Sequence, residues 1–352
     1  MKVIRKVLTL IIVISSFSVV YADDSEGFYD DFSGLNLDSG KWLTAEKNWG
    51  GMVIEGGKSV DYNGGVIAEN VHLQDGKLIF TGCGNLYDGA KRGINRNGTY
   101  RNNGKRCGGA IATKEYFASG SYEIYAKISP ELGCCSAMWT FEYEEDYSDD
   151  ELKVTNHEID IEFPGRDENN ELSLSNCLCT TWVGEGEDEH KTASPYCKNQ
   201  ADGQFHTYRF DWHTGDENQV PRVEYYFDNE LVYISYEYIP TNAGRLWLGL
   251  WFPRYWAGTP DFDKTNFEID YVRVTPFHEK GDKDQNESYP NGGWRKQNIV
   301  RGDVNGDNIV DLRDVIEAEK KTITGYVPNA DVNDDEKTDS KDARIILKSL
   351  FY

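Results

Sequence analysis

The feature that most constrains the fold of this chain is a series of short strand-like runs across residues 28–277. Runs such as GKLIFTG, GSYEIYAKI, TYRFDWH and RLWLGLWF are alternating or continuously apolar, and Gly, Asn and Asp residues separate them. The pair Asp228-Asn229 stands between two such runs and predicts the tip of a hairpin. No sustained 3.6-residue apolar period occurs in this region. The pattern therefore predicts one large antiparallel β-sandwich domain.

The charge of the chain narrows the classes of partner. The formal net charge is −23. Nucleic-acid binding requires basic patches, so we expect no nucleic-acid partner. Aromatic residues make up 13% of the chain, with 9 Trp and 22 Tyr. They are typical of a large β core and also of flat platforms for sugar rings, and both interpretations stay open on composition alone.

The first residues have the pattern of a secretory signal peptide. A basic start, MKVIRK, is followed by an apolar run, and VYA precedes Asp23. The alternative is a membrane anchor, but the apolar run is short for a span of ~20 residues. We therefore predict a signal peptide at residues 1–22 and a secreted, extracellular protein without a membrane partner.

The chain contains seven cysteines, an odd number. Export permits disulfides, and an odd count leaves at least one thiol free or paired between chains. We expect buried small hydrophobic residues with one or two bridges, whose connectivity the sequence leaves open. The seven cysteines are Cys83, Cys107, Cys134, Cys135, Cys177, Cys179 and Cys197.

A duplicated acidic loop ends the chain. After a polar stretch at residues 278–300, which we predict to be a linker, residues 301–352 contain DVNGDNIVDLRD and DVNDDEKTDSKD, each followed by a helical pattern. Calcium takes six to eight oxygen ligands, which such a loop supplies at positions 1, 3, 5, 7, 9 and 12. The sequence therefore predicts two calcium sites. Their ligands are Asp303, Asn305, Asp307, the Ile309 carbonyl, Asp311 and Asp314 in the first copy, and Asp331, Asn333, Asp335, the Lys337 carbonyl, Asp339 and Asp342 in the second.

These loops resemble a dockerin, the duplicated calcium-binding module that binds cohesin domains of cellulosome scaffoldins. The resemblance implies a small α-helical module, two calcium ions, a cohesin partner and a cellulosome-associated enzyme. Position 6 departs from the EF-hand pattern, since Asn308 and Glu336 replace the usual Gly, and Glu adopts the turn less readily than Asn. Positions 10 and 11, which help to choose the cohesin in that family, differ between the copies: they are 312–313 and 340–341.

Residues 157–164 read HEIDIEFP and place three acids at every second position. In a β-strand, Glu158, Asp160 and Glu162 share one face, and the residues between them share the other, core-like face. A solvated strand face is the alternative, but three like charges without an intervening Lys repel one another and raise the pKa of at least one acid. A site that needs one protonated and one ionised carboxyl group gains from that repulsion.

Glycoside hydrolysis requires such a pair. In retaining enzymes, a nucleophilic carboxylate and an acid/base carboxyl group lie about 5–5.5 Å apart. The α-carbons of Glu158 and Glu162 are separated by about 13 Å of extended strand, so both long side chains must lean inward over the shorter Asp160.

The segment EIDIEF is similar to the catalytic motif of glycoside hydrolase family 16. The resemblance covers roughly residues 28–277, and we assign residues 23–277 to this domain. It implies a concanavalin A-like β-jelly-roll sandwich and a retaining mechanism. It also implies that Glu158 is the nucleophile, Glu162 the general acid/base and Asp160 the residue that tunes the nucleophile. By the same resemblance, we expect the hydrolysis to require no cofactor.

The resemblance also suggests a β-glucan substrate. Family members with EIDxxE are mostly laminarinases, agarases and carrageenases, whereas those without the extra residue, as here, are mostly lichenases and xyloglucan-active enzymes. We therefore expect a lichenase-type endo-β-glucanase that acts on mixed-linkage β-1,3-1,4-glucan. The stretch GAIATKEYFASGSYEIYAKISPELG is more similar to laminarinases, and Gly249 replaces a substrate-binding Asn of lichenases. A β-1,3-glucanase, a xyloglucanase, a non-catalytic carbohydrate-binding jelly roll and a scaffold adaptor remain as alternatives.

Five residues are candidates for substrate contacts by the same resemblance. The Trp candidates have an alternative in core or loop packing. We interpret His206 and His213, on another strand, as structural. The candidates are Trp139, Asn176, Trp182, Trp251 and Trp256.

Overall fold

The computed structural model describes residues 27–48, 53–55, 58–60, 63–89, 93–94, 100–101, 106–146, 153–184, 186–253, 256–285, 312–321 and 340–349. The predicted signal peptide lies outside these ranges, as does most of the predicted linker. Among the described residues, the first strands are β1 (Phe28–Asp30), β2 (Trp42–Thr44), β3 (Val53–Glu55), β4 (Lys58–Val60), β5 (Asn63–Val66), β6 (Val71–Gln74), β7 (Lys77–Cys83), β8 (Gly93–Ile94), β9 (Tyr100–Arg101), β10 (Arg106–Thr113), β11 (Gly120–Lys127) and β12 (Cys135–Asp146). The later strands are β13 (Lys153–Phe163), β14 (Gly165–Arg166), β15 (Leu172–Ser173), β16 (Leu178–Trp182), β17 (His190–Ala193), β18 (His206–His213), β19 (Arg222–Phe227), β20 (Glu230–Ser235), β21 (Arg245–Trp251) and β22 (Lys264–Pro276).

Two antiparallel layers form the β domain, as the alternating runs predict. The acid-bearing sheet has the strand order β17-β16-β13-β12-β21-β10, and the back sheet has the order β7-β22-β11-β18-β19-β20. The two sheets join where β10 meets β7, with Cys107 opposite Cys83. The predicted all-β sandwich is therefore confirmed.

The core lies between the two sheets and contains the apolar face of β13. Ile159 and Ile161 are at most 2% exposed, and the Phe163 ring packs edge-on against Tyr208 and Phe227 of the back sheet. Burying an Ile side chain completely is worth about 1.5–3 kcal/mol. This burial fixes which face of β13 points inward, because a slip by one residue would exchange the two faces.

The hairpin predicted at Asp228-Asn229 joins β19 and β20. Both residues have positive φ angles, 49° and 64°, as a two-residue turn of the favoured twist requires. At the other end of the domain, part of the predicted linker packs on the sandwich. Asp282 accepts hydrogen bonds from the hydroxyl groups of Ser119 and Thr214, and the Lys283 amide donates to the Thr241 carbonyl. The first residues of the predicted linker therefore contact the β domain.

All seven cysteines are buried, as expected. The expected one or two disulfide bridges are not formed among these seven described residues. Cys177 and Cys179 share a face of the chain, with their sulfur atoms 3.3 Å apart.

Two helices, α1 (Leu312–Lys321) and α2 (Ser340–Ser349), follow the two acidic loops where the sequence predicts them. They pack against each other. Neither has the length and apolar character of a membrane span. Ala318, Ala343 and Ile346 are buried, whereas Leu312 and Ile316 are more than half exposed.

Candidate active site

The three acids of HEIDIEFP lie side by side on β13, on the face turned away from the core. The strand pairs with β12 from Lys153 to Phe163 without a register shift, and it pairs regularly with β16 on its other edge. The acids therefore keep strict alternation. Their direct cross-strand neighbours are Phe141 and Trp182 for Glu158, Trp139 and Thr180 for Asp160, and Ala137 and Leu178 for Glu162.

Asp160 is the buried member of the row, at 5% exposure. Burial, together with the charges of Glu158 and Glu162, raises the pKa of Asp160 well above its usual range. A hydrogen bond links the carboxyl groups of Asp160 and Glu158, and the Trp182 indole N–H donates to Asp160 Oδ2 at 3.0 Å. The shift favours the protonated form of Asp160, whose O–H can donate a hydrogen bond to the Glu158 carboxylate.

Glu162 has the protonation state of a general acid. Burial and the charge of Glu158 raise the pKa of Glu162 to about 8. The Cys135 thiol donates to Glu162 Oε1 at 3.5 Å and lowers that pKa, since the hydrogen bond favours the ionised form. The raised pKa of Glu162 therefore favours its protonated form at neutral pH, as acid catalysis requires.

Glu158 is held from its own strand. Asn156, two residues earlier and on the same face, donates from Nδ2 to Glu158 Oε2 at 2.7 Å. With Asp160 on its other side, the Glu158 carboxylate has hydrogen-bonding partners before and after it along β13. This fixes its direction.

Cavities lie on both sides of β13. One, of about 240 Å³, extends over β12 and β21 and contains Glu158; its lining is Lys47, Trp139, Phe141, Tyr143, Asn156, Glu158 and Trp247. The other, of about 870 Å³, extends over the hairpin β14–β15 and the strands β16 and β17. It includes Leu178, which lies directly opposite Glu162. Glu158 thus lines the smaller cavity, and the cross-strand neighbour of Glu162 lines the larger one.

Of the five predicted contact residues, Trp139 lines the smaller cavity and Asn176 the larger one, whereas Trp182, Trp251 and Trp256 are in the lining of neither. Trp139 is only 5% exposed and stacks on Trp247 at 5.5 Å, so it forms a wall of the smaller cavity. Trp182 stacks on His190 at 4.1 Å and binds Asp160, so one face of its ring is covered.

Asn176 lines the larger cavity, with its Nδ2 bound to the Ser194 carbonyl at 3.1 Å. Trp251 and Trp256 meet edge to face at 6.0 Å, and both are partly exposed. Gly249 lies between Ala137 and Ala110, and a Cβ atom there would meet the Ala110 Cβ at 2.8 Å. The close strand packing therefore explains the glycine.

The two histidines interpreted as structural lie on β18 in the back sheet. His206 contacts Asp228 and Asp202 at 2.8 and 3.1 Å, and His213 contacts Glu279 at 2.6 Å. Burial acts against the charged form of His206, but the two acids prevail and raise its pKa. These pairs hold loops of the back sheet and are separate from the three acids.

Four residues that the sequence did not single out belong to the site. Asn156 continues the alternation of the acids by one step, so the same strand pattern would have found it. Lys47, Cys135 and Trp247 carry no local signal, because strand pairing and chain packing bring them to the acids from distant parts of the chain.

Most of the predicted calcium ligands lie outside the described residues. Two of the predicted ligands, Asp314 and Asp342, lie within the described residues. Each is in the first turn of a helix and is fully buried. Among the described residues no group of three or more potential ligands is arranged to hold a metal ion.

Comparison with known proteins gives a consistent result. Residues 84–273 match the model of the glycosyl hydrolases of family 16. A β-glucanase of Acetivibrio thermocellus is 28% identical over 221 residues, which cover 58% of this chain and 58% of that protein. A β-glucanase of Paenibacillus polymyxa is 26% identical over 229 residues, covering 59% of this chain and 87% of that protein. The chain thus spans less than two thirds of the Acetivibrio relative.

Solved structures share the fold. A prokaryotic β-1,3-1,4-glucanase (lichenase) from a mouse hindgut metagenome aligns with a TM-score of 0.50 at 21% identity, covering 71% of this chain and 99% of that one. The laminarinase catalytic domain of Thermotoga maritima aligns with a TM-score of 0.52 at 18% identity, covering 72% and 98%. At these identities the likeness shows the common sandwich architecture.

Proposed function

Since the chain belongs to the glycosyl hydrolases of family 16, we propose that it is a retaining endo-β-glucanase. The observation that carries this proposal is the unequal state of two acids on one strand face. Glu162 has a pKa of about 8, whereas Glu158 accepts a hydrogen bond from an amide N–H. One acid is thus set to donate a proton and the other to remain an anion, as a retaining glycosidase requires.

The chemistry follows from these states. Glu158 attacks the anomeric carbon while Glu162 gives its proton to the glycosidic oxygen, so the C–O bond breaks and the leaving chain departs as an alcohol. A water molecule then gives a proton to Glu162 and attacks the glycosyl–Glu158 ester, which frees the sugar with its original configuration. Asp160, neutral and hydrogen-bonded to Glu158, steadies the nucleophile before attack.

Cleavage within a chain fits the position of the cavities. The sugar that bonds to Glu158 occupies the aromatic-walled cavity that Glu158 lines, and the leaving part extends over β16 and β17. Because there is space on both sides of β13, a polymer can lie across the strand without presenting an end. This supports endo-acting hydrolysis.

For the linkage, we propose mixed-linkage β-1,3-1,4-glucan. The support is the regular β13 strand, which has no inserted residue between Asp160 and Glu162. Side-by-side product analysis on lichenan, laminarin and xyloglucan tests the choice. Oligosaccharide release from lichenan is expected, and cleavage of laminarin alone would replace the proposal by a β-1,3-glucanase.

A non-catalytic carbohydrate-binding domain is the competing function. It would need no proton donor beside a half-buried carboxylate, which argues against it. Glu158→Ala is expected to abolish hydrolysis while leaving the melting temperature of the β domain close to that of the parent. Undiminished hydrolysis by this variant would reject Glu158 as the nucleophile.

We also propose that residues 301–352 form a dockerin that binds two calcium ions and a cohesin domain. The duplicated loops support this, as do the two mutually packed helices and the two buried position-12 acids, Asp314 and Asp342. Exposed apolar residues on both helices, Leu312 and Ile316 on α1 and Ile345 and Leu347 on α2, suit a protein partner. Calcium-dependent capture by an immobilised cohesin panel, reversed by a chelator, tests this part.

The location we propose is extracellular, on a cellulosome, after removal of residues 1–22. The basic, apolar and small-residue sequence at the start of the chain supports it. Sequencing the amino terminus of protein recovered from culture medium is expected to begin at Asp23.

A further inference from the structure

The side-chain amide of Asn156 donates a hydrogen bond to Glu158, the proposed nucleophile. Its Nδ2 lies 2.7 Å from Glu158 Oε2, and the residue is only 7% exposed, so little water competes for that hydrogen bond. The orientation follows from chemistry, because the reversed amide would place its oxygen against a carboxylate oxygen. Asn156 Oδ1 is buried and has no hydrogen-bond partner among the described residues. The Asn156 amide therefore leaves its oxygen without a hydrogen bond to the described part of the chain while its Nδ2 donates to Glu158.

Lys47 supplies positive charge to the same carboxylate. It shares the smaller cavity with Glu158, and its ammonium group lies 6.0 Å from the centre of the Trp247 ring. Its backbone is fixed by reciprocal hydrogen bonds with Val66, at 3.1 and 3.0 Å. Burial lowers the pKa of Lys47 to about 8, while the charge of Glu158 acts in the opposite direction. Below that pH Lys47 is a cation that faces an anion.

We propose that Asn156 and Lys47 are positioning residues that keep Glu158 ionised and correctly aimed for attack. This inference rests on the proposed function, in which Glu158 is the nucleophile. The amide fixes one carboxylate oxygen through a hydrogen bond to the charged form, and the ammonium group stabilises the negative charge across the cavity. Together they favour the ionised form of Glu158 on a strand face that carries two further acids.

Other titratable groups face Glu158 and must be considered in a pH experiment. Among the described residues these are Asp160 and Glu162 on β13 and Tyr143 on β12, with Lys47 from the segment after β2. Asp160 and Glu162 are shifted towards the neutral form. The acidic limb of the activity profile therefore reports Glu158, while the basic limb reports Glu162 together with Lys47.

The test is the pH dependence of kcat/KM on the cleaved glucan for Asn156→Asp, Asn156→Ala and Lys47→Met. Asn156→Asp keeps the size of the side chain but replaces the donor by an acid. The acidic limb is expected to move to higher pH in all three variants, furthest in Asn156→Asp. Loss of a hydrogen bond to a charged group is expected to lower kcat by roughly ten- to a hundredfold in Asn156→Ala. In Lys47→Met the basic limb should persist, since Glu162 remains.

Matched controls are Asn266→Ala, an exposed residue of β22, and Lys41→Met, whose partner is Asp30. Both should keep the parent profile. An unmoved acidic limb in the Asn156 variants, whether or not their melting temperatures fall, would overturn the proposal and leave Asn156 a packing residue. Azide rescue of Glu158→Ala separates the two hypotheses. Rescue with an unmoved limb rejects only this inference, whereas undiminished hydrolysis by Glu158→Ala without azide rejects Glu158 as the nucleophile, the premise on which this inference rests.

Discussion

The indole N–H of Trp182 donates a hydrogen bond to Asp160 Oδ2 at 3.0 Å, and β13–β16 pairing places Trp182 directly beside Glu158. The family resemblance predicts a sugar platform at this position. The contact instead ties the ring to the central acid of the row, while His190 covers one ring face at 4.1 Å. Trp182 therefore positions Asp160 through this hydrogen bond.

Trp182→Phe separates these two roles, because Phe keeps an aromatic face but loses the N–H donor. We expect kcat to fall by roughly tenfold, as for loss of a hydrogen bond to a buried acid, with little change in KM. A platform residue would give the reverse pattern, in which KM rises and kcat stays constant. Steady-state kinetics on the preferred glucan decides between them.

Cys135→Ala is expected to move the basic limb of the pH profile to higher pH. The Cys135 thiol donates to Glu162 Oε1 at 3.5 Å and so favours the ionised acid; without it, Glu162 should keep its proton to a pH above 8. Cys134→Ala is the matched control. Cys134 is equally buried, but its sulfur contacts Ser129 and the Glu131 carbonyl. A basic limb that moves in both variants would point to packing rather than to the hydrogen bond.

Local alternation explains why the acid row could be predicted and why other parts of the site could not. Glu158, Asp160 and Glu162 share a face because strand geometry has a period of two, and the apolar residues between them are buried as that geometry requires. Asn156 obeys the same rule. Lys47 reaches Glu158 only through chain packing, and no period in the sequence records that contact.

The role of an aromatic residue depends on the register of its strand, which the sequence leaves open. Trp139 and Trp247 become stacked neighbours because β12 and β21 pair at that level. The first residues of the predicted linker make contacts with the sandwich that composition does not record. Residues 279–283 are polar, but their side chains and backbone bind the back-sheet loops, and these contacts are long-range.

Removal of calcium is expected to unfold the proposed dockerin and to leave hydrolysis intact. Without the ion, the loop carboxylates repel one another. Hydrolysis should not depend on calcium, because all three acids of the site lie on β13. A chelator should therefore reduce the helical circular dichroism signal without changing kcat. Asp314→Asn should weaken calcium binding by roughly tenfold or more, since it removes a buried charged ligand, whereas Glu319→Gln in the same helix should have no effect. Loss of hydrolysis on chelation would show that the β domain also depends on calcium.

The protonation of Glu162 has a consequence for stability. Its pKa in the folded chain is about 8, raised by burial and by Glu158 from an ordinary value of 4.5. Between these two values the folded state holds a proton that the unfolded state has released, so the free energy of unfolding falls as pH rises through this range. The stabilising contribution is complete below about pH 4.5 and is lost above pH 8.

Glu162→Gln removes the ionisable group and should remove this pH dependence. We expect the variant to melt near the parent temperature at about pH 4.5 and above it at pH 9, by roughly 2–4 °C for each kcal/mol recovered. Glu115→Gln, at an exposed position, is the control and should leave the difference between the two pH values unchanged. Thermal melts of the β domain at both pH values measure the effect. An equal shift at pH 4.5 and pH 9 would attribute it to amide hydrogen bonding and contradict a proton held on Glu162 at neutral pH.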